Sequence, residues 1–252
     1  MDKIDVKILN PGAVKDAEQM MVFCARLTQR GHNIHNMSDL IELKDKSYQP
    51  STLEAMCNLP HPTIQKFGVI NVAVVGASRR FLAQITRHQN EVKFMSASLQ
   101  YSDYSGQAEF CVPYGVIKAG ERDIAGYIET QEDTMEIYED AIKNGLDNDS
   151  AGYIAPQGLR NILIISATPY QWKHMIKQRV CRRNTDETRY VLLQIWKELA
   201  KLSPMFAHSG PFCMSGGCPE GKMTCGKMID RSWGPEEILE CDFPLLTKDK
   251  TI

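Results

Sequence analysis

The sequence predicts an α+β fold, a mixed sheet flanked by helices, with a loop-rich C-terminal tail. Three observations support that expectation. Two runs rich in branched aliphatic residues, 67–75 and 159–167, have the length and composition of buried strands. Three longer segments repeat apolar residues at helical spacing. From Ser209 onward glycine, cysteine and proline replace any clear periodicity. Residues 1–208 are therefore expected to form one domain, with 209–252 as a Gly/Cys-rich tail packed on it.

Asn10-Pro11-Gly12 is a turn signal, after which Ala17, Met20, Met21, Cys24 and Leu27 recur as the inner face of a helix that stops at Gly31. Residues 31–62 are polar and punctuated by proline, so loops are expected there, apart from a short helix over 52–57. The strand at 67–75 changes character at Gly76 and leads into a helix over 79–88. That helix sets Arg80, Gln84, Arg87 and His88 near one polar face. Residues 96–104 are small, hydroxylated and aromatic, which suits an extended segment or loop.

Residues 129–146 read as a helix with Met135, Tyr138, Ile142 and Leu146 as its apolar stripe, frayed by Gly145. After the strand at 159–167, Thr168 offers an N-cap and Pro169 takes the first helical position, where its missing N–H costs nothing. This helix should run to about Val180. The next is expected from Asn184, with Glu187 as capping-box partner and Leu192, Ile195, Trp196, Leu199 and Leu202 as the buried stripe, until Pro204 ends it.

Composition narrows the function. Hydrophobic residues make up 43% and charged residues 24% of the 252, which are ordinary globular values. A net charge of −2 gives no global attraction to nucleic acid or acidic membranes. The longest apolar stretches, 69–77 and 162–167, fall well short of the roughly 20 residues of a membrane-spanning helix. The first ten residues carry Asp2 and Asp5 and lack the layout of a secretory signal, so a cytoplasmic, reducing setting is expected. The eight cysteines then read as thiols or metal ligands before disulfides.

Three constellations offer chemistry. His61-Pro62-Thr63 precedes a strand, and Arg87-His88-Gln89 closes the helix after it. Ser98-Leu99-Gln100-Tyr101 supplies hydroxyls and an amide, neutral partners for phosphate or a heterocycle. Arg179, Arg182 and Arg183 place three planar cations close together, suited to phosphate or to pyrimidine carbonyls. Taken singly, each has an ordinary structural reading. These are a turn histidine with solvated helix-end cations, a hydroxylated strand edge, and a basic face or internal ion pair with a carboxylate from the 184–187 segment.

Their order along the chain resembles the flavin-dependent thymidylate synthases. That family carries Arg-His-Arg, then Ser-x-Arg-Tyr, then a later segment running from Pro to Arg. Residues 61–113 look like the first block and 156–187 like the second. The resemblance implies that His61, Thr63, Arg87, His88, Gln89 and His174 hold FAD. It also implies that Gln84, Ser98, Gln100, Tyr101, Arg179, Arg182 and Arg183 face a uracil nucleotide. Arg179 and Ser98 would stand at the reacting ring, with Arg179 stabilising charge that grows there. NADPH would reduce the flavin and methylenetetrahydrofolate would supply the carbon to dUMP, in a homotetramer with shared flavin sites.

The departures are specific. Gln89 replaces the third residue of Arg-His-Arg, and Gln100 the Arg of Ser-x-Arg-Tyr. Ile162 stands where a phosphate-binding Arg is expected, and Thr168 and Tyr170 replace a flavin-associated Asn and Arg. Two lost charge-assisted contacts, at roughly 1.5–3 kcal/mol each, would weaken phosphate binding by orders of magnitude. Arg160, Arg182 or Arg183 are the candidates to rebuild the grip. Hydroxymethylation of dUMP, or methylation of another uracil nucleotide or nucleoside, is the close alternative. A non-catalytic nucleotide- or nucleic-acid-binding protein is the rival from another class. In the tail, Cys213, Cys218 and Cys225, with His208 and Cys241 nearby, are candidates for a structural zinc. No Cys-x-x-Cys pair suggests redox chemistry.

Overall fold

The computed structural model describes residues 4–59, 61–106 and 108–248. Residues 1–3 of the N-terminal segment, Pro60 in the 31–62 stretch, Gln107, and residues 249–252 of the tail lie outside the described residues. Element by element, the chain runs β1 (Asp5–Ile8), α1 (Gly12–Arg30), α2 (Met37–Asp45), α3 (Pro50–Cys57), β2 (Ile70–Ser78), α4 (Arg79–Ile85) and β3 (Val92–Ser96). It continues through α5 (Tyr114–Ala119), α6 (Glu121–Lys143), α7 (Asn148–Ala151), β4 (Arg160–Ala167), α8 (Pro169–Arg179) and α9 (Asp186–Leu202). The tail adds α10 (Phe212–Ser215), α11 (Pro235–Asp242) and α12 (Pro244–Lys248). Among the described residues no helix is long and apolar enough to cross a membrane.

The α+β class stands. The four strands lie in the order β1-β2-β4-β3, and every pairing is antiparallel where a mixed sheet was expected. The sequence cannot show this, because β1 and β3 are short and carry no strand signal apart from their partners. β1 is fixed by long-range partners, with the Asn10 side chain accepting from the Asn71 amide at 2.8 Å. β3 pairs with β4 from Val92 opposite Ala167 to Ser96 opposite Leu163.

Alternation along the strands sends one set of side chains into the core. Ile70, Val72 and Val74 on β2 and Leu163, Ile165 and Ala167 on β4 are buried against α1, α8 and α9. Leu192, Ile195, Trp196 and Leu199 of the α9 stripe are buried as expected, Leu202 at the helix end is partly buried, and Trp196 donates its indole N–H to the Phe206 carbonyl at 2.7 Å. A second, smaller core beneath α6 gathers Met135, Tyr138, Ala151 and Leu159, with Leu99 packed against it. Leu146, expected in that stripe, is exposed beyond the helix end.

Three local expectations change. Within 31–62, α2 forms because the Asn36 side chain caps it, accepting from the Asp39 amide at 3.0 Å. α4 stops at Ile85 because the Thr86 hydroxyl takes the Leu82 carbonyl and the His88 amide takes the Ile85 carbonyl. α9 starts at Asp186 with Thr185 at its N-cap, so the Asn184–Glu187 capping box does not form. The tail also holds more helix than expected. α11 starts with Pro235 in its first turn, where the Glu237 carboxylate accepts from the Gly234 amide at 2.8 Å, and packs on α9.

Candidate active site

The site is built where β2 turns into α4. Ser78 ends the strand and caps the helix, its hydroxyl oxygen accepting from the Phe81 amide at 3.1 Å. Its own N–H and O–H donate to the two carboxylate oxygens of Glu187, at 2.6 and 2.5 Å. Glu187 is thus a strap between α9 and the start of α4. With Phe81 and Ile85 buried, α4 delivers Gln84 and the 86–89 turn to one corner of the molecule.

α8 approaches the same corner. The Thr168 hydroxyl caps it as expected, and Trp172, Met175 and Ile176 bury its inner face. That leaves His174 and the terminal Arg179 half-buried on the side facing the turn. Arg179 donates from Nε to His88 Nε2 at 2.8 Å, from Nη1 to Asn184 Oδ1 at 3.3 Å and from Nη2 to the Gln84 carbonyl at 3.1 Å. All three acceptors are neutral, and among the described residues no carboxylate lies within ion-pair distance of this guanidinium.

His88 is buried, and its ring meets that of His174 edge-on at 6.2 Å. Burial, then the charges of Arg179 and His174, push its pKa down to about 4, so it is a neutral imidazole at physiological pH. Burial also lowers His174, and it lowers Arg179 with help from the nearby Arg87. The ordinary structural reading of His88 as a solvated helix-end cation is thereby excluded.

Of the residues singled out from sequence, Gln84, Arg87, His88, His174 and Arg179 meet in this corner. Gln89 is exposed beside it. His61 and Thr63 are exposed on the 3-10 turn Pro62–Lys66, which is tied to α8 by Lys173 Nζ donating to Gln65 Oε1 at 2.9 Å. The 98–101 segment lies elsewhere. Its Ser98 hydroxyl accepts from the Gln100 amide at 3.1 Å, and Tyr101 is 81% exposed. It leaves β3 at the end paired with the start of β4, whereas His88 precedes the opposite end of β3. The length of a strand separates the two within one chain.

The arginines following Arg179 part company. Arg182 is held by the Asp242 carboxylate at 2.9 and 3.0 Å and by the Lys227 carbonyl at 2.8 Å, which fastens the tail to the body. Asp242 also pairs with the buried Arg189. Burial works against the Asp242 charge, but the two guanidiniums outweigh it and its pKa is lowered. Arg183 is exposed on the wall of a cavity of about 220 Å³ that Arg179 and Asn184 share with Phe212 and Ile229 of the tail.

Cys213, Cys218 and Cys225 line the same cavity, joined by Cys181, which sequence inspection passed over although it lies two residues beyond Arg179. Every cysteine is a free thiol. Among the described residues no three of His, Cys, Asp and Glu are grouped to hold a metal. Cys225 instead points its thiol at the Lys227 carbonyl, at 3.6 Å.

The family model described as "Thymidylate synthase complementing protein" matches residues 12–205. The chain belongs to this family. Residues 12–205 of the thymidylate synthase complementing protein match contain the whole Arg179–His88 corner, and the tail lies past them. A flavin-dependent thymidylate synthase of Geobacter sulfurreducens is 23% identical over 216 residues, covering 85% of this chain and 91% of that protein. One from Clostridium tetani is 25% identical over 249 residues, covering 90% and 95%. The crystal structure of a UMP/dUMP methylase, PolB, from Streptomyces cacaoi bound with 5-Br dUMP shares the fold at a TM-score of 0.61. Its sequence identity is 16%, with 81% of this chain and 93% of that one covered.

Proposed function

We propose that this chain transfers a one-carbon unit from methylenetetrahydrofolate to carbon five of the uracil ring of dUMP, using FAD reduced by NADPH. The observation that carries this function is the orientation of Arg179. Three neutral acceptors fix the guanidinium, and among the described residues no carboxylate pairs with its charge. As the ring is attacked or alkylated, negative charge grows on a uracil carbonyl oxygen, and a preplaced cation in a water-poor corner stabilises it. Family membership and curated relatives that are flavin-dependent thymidylate synthases support the same chemistry.

The donor set suits a flavin. Its ring is flat and edged with hydrogen-bond acceptors, and its diphosphate needs cations. Arg87 and Gln89 offer exposed donors beside the neutral His88, while His174 and the Pro62–Lys66 turn bound the adjacent surface. Bound there, the flavin would supply the hydride, and the protein's work is to orient and polarise. His88 acts on Arg179, Arg179 on the pyrimidine, and Asn184 and the Gln84 carbonyl hold the guanidinium plane.

A homotetramer fits this arrangement. Ser98, Gln100 and Tyr101 reach Arg179 only if another copy brings them. The sheet face turned away from the helices exposes Val75, Ile162 and Met95, an apolar surface suited to self-association. The test is product mass after incubating the protein with FAD, NADPH, methylenetetrahydrofolate and dUMP. A net gain of CH2, methyl replacing hydrogen, supports the function; a net gain of CH2O shifts the product to hydroxymethyl; unchanged dUMP contradicts it.

A further inference from the structure

Four of the eight cysteines face one cavity. Cys181 stands two residues beyond Arg179, Cys213 sits on α10, and Cys218 and Cys225 follow in the loop after it. All four are half-buried and line the same space of about 220 Å³. Cys24, Cys57, Cys111 and Cys241 are not on this wall, and the exposed His208 is not on it either. The set joins the end of α8 to a distant stretch of the tail, and only the folding of the tail onto the body brings its members together.

Four thiols have little reason to share a half-buried space for packing alone. A thiol is a weak hydrogen-bond donor, and ionising several in one place is opposed by desolvation and by mutual repulsion. Both effects are present at Cys181. Burial, the largest, raises its pKa, the Arg183 amide lowers it, and the neighbouring Cys225, Glu220 and Cys213 raise it again. A dication removes the repulsion by binding the thiolates together, with zinc–sulfur bonds of about 2.3 Å. Each thiol gives its proton to solvent as its bond to the metal forms. Arg183 and Lys227 on the wall offset the negative charge of such a group, and Glu220 is the one carboxylate among the described residues that line the cavity.

Among the described residues no three of these side chains are drawn close enough to hold an ion as they stand. The loop that carries Cys218 and Cys225 is built to close. Gly217, Gly221 and Gly226 take left-handed backbone beside the two cysteines, at φ 134°, 52° and 69°, and no atom crowds any of them within 4 Å.

We propose that Cys181, Cys213, Cys218 and Cys225 form a zinc site, a four-thiolate staple that fastens the tail to the end of α8. It adds a second fastening to the Arg182–Asp242 ion pair and holds the tail wall of the cavity that Arg179 shares. The site is independent of the alkylation proposed above.

The experiment is metal analysis of the full chain purified without a histidine tag, followed by replacement of the metal with cobalt(II). Wild type should carry about one zinc per chain. Its cobalt form should show sulfur-to-cobalt charge transfer and intense visible bands at longer wavelength than those of flavin, the signature of a tetrahedron of thiolates. After dialysis against a competing chelator, Cys181→Ser and Cys218→Ser should each retain about tenfold less zinc or lower still, whereas Cys24→Ser, on α1, should match wild type. If the serine variants fail to fold, the cobalt spectrum of wild type decides. A wild type that carries no zinc and takes up no cobalt, a cobalt spectrum without sulfur ligation, or full loading of Cys181→Ser overturns the site. None of these results bears on the alkylation of dUMP, which product mass tests separately.

Discussion

Nε of Arg179 donates to Nε2 of His88 across 2.8 Å, joining the end of α8 to the turn after α4. Because Nε2 accepts, the ring proton sits on Nδ1 and the imidazole is neutral. Burial, then the Arg179 and His174 charges, keep it so by pushing its pKa down to about 4. His88 is therefore a fixed acceptor that aims the guanidinium, and it gives the corner its chemistry.

Arg179→Ala removes the aimed cation. Turnover is expected to fall by about 100-fold or more, the range for losing a preorganised charge stabiliser, while visible flavin absorbance shows FAD still bound. Steady-state kinetics with dUMP checks it; full activity would show that the site is misassigned.

The depressed His88 pKa fixes a pH dependence. The unfolded histidine binds a proton near pH 6.5, but the folded one only near pH 4. The stabilisation from neutral His88 is thus complete above about pH 6.5 and is lost as pH falls toward 4. The span corresponds to roughly 3 kcal/mol as an upper bound. Urea unfolding at pH 7.5 and pH 5 should show a larger loss for wild type than for His88→Gln; equal losses would contradict the assignment.

Ser78→Ala removes the α4 cap and leaves the Glu187 carboxylate short of a partner. A cap contributes about 1 kcal/mol and an unpaired, partly buried acceptor about 1–3, so a loss of roughly 2–4 kcal/mol is expected in urea unfolding. Retained stability would mean that the strap is incidental.

Asp242→Ala strands two guanidiniums, Arg182 and the buried Arg189. Breaking such a group costs about 3–5 kcal/mol. The tail should loosen first, so limited proteolysis is expected to cut within residues 209–252 of the variant before the body; cleavage indistinguishable from wild type would contradict the anchor.

Much of this was legible in the sequence, and the reasons differ by residue. The Thr168-Pro169 start and the α9 stripe are local signals, set by capping and 3.6-residue periodicity. The resemblance to flavin-dependent thymidylate synthases drew Arg87, His88, His174 and Arg179 into one set, and the structure gathers them. The Asn184–Glu187 pair misled because Asn-x-x-Glu imitates a capping box, whereas Glu187 serves Ser78, 109 residues away. Arg182 misled likewise, since its partner Asp242 lies 60 residues on. Strands β1 and β3 are too short to announce themselves without their neighbours.

The central claim is that the turn carrying Arg87 and His88 holds a flavin beside Arg179. The most direct measurement is titration of the purified protein with FAD, followed by visible flavin absorbance, for wild type and Arg87→Ala. Saturable binding by wild type, weakened by about tenfold or more in the variant, is the expected result. A wild-type protein that leaves FAD free in solution, or a variant that binds it equally well, would contradict the account.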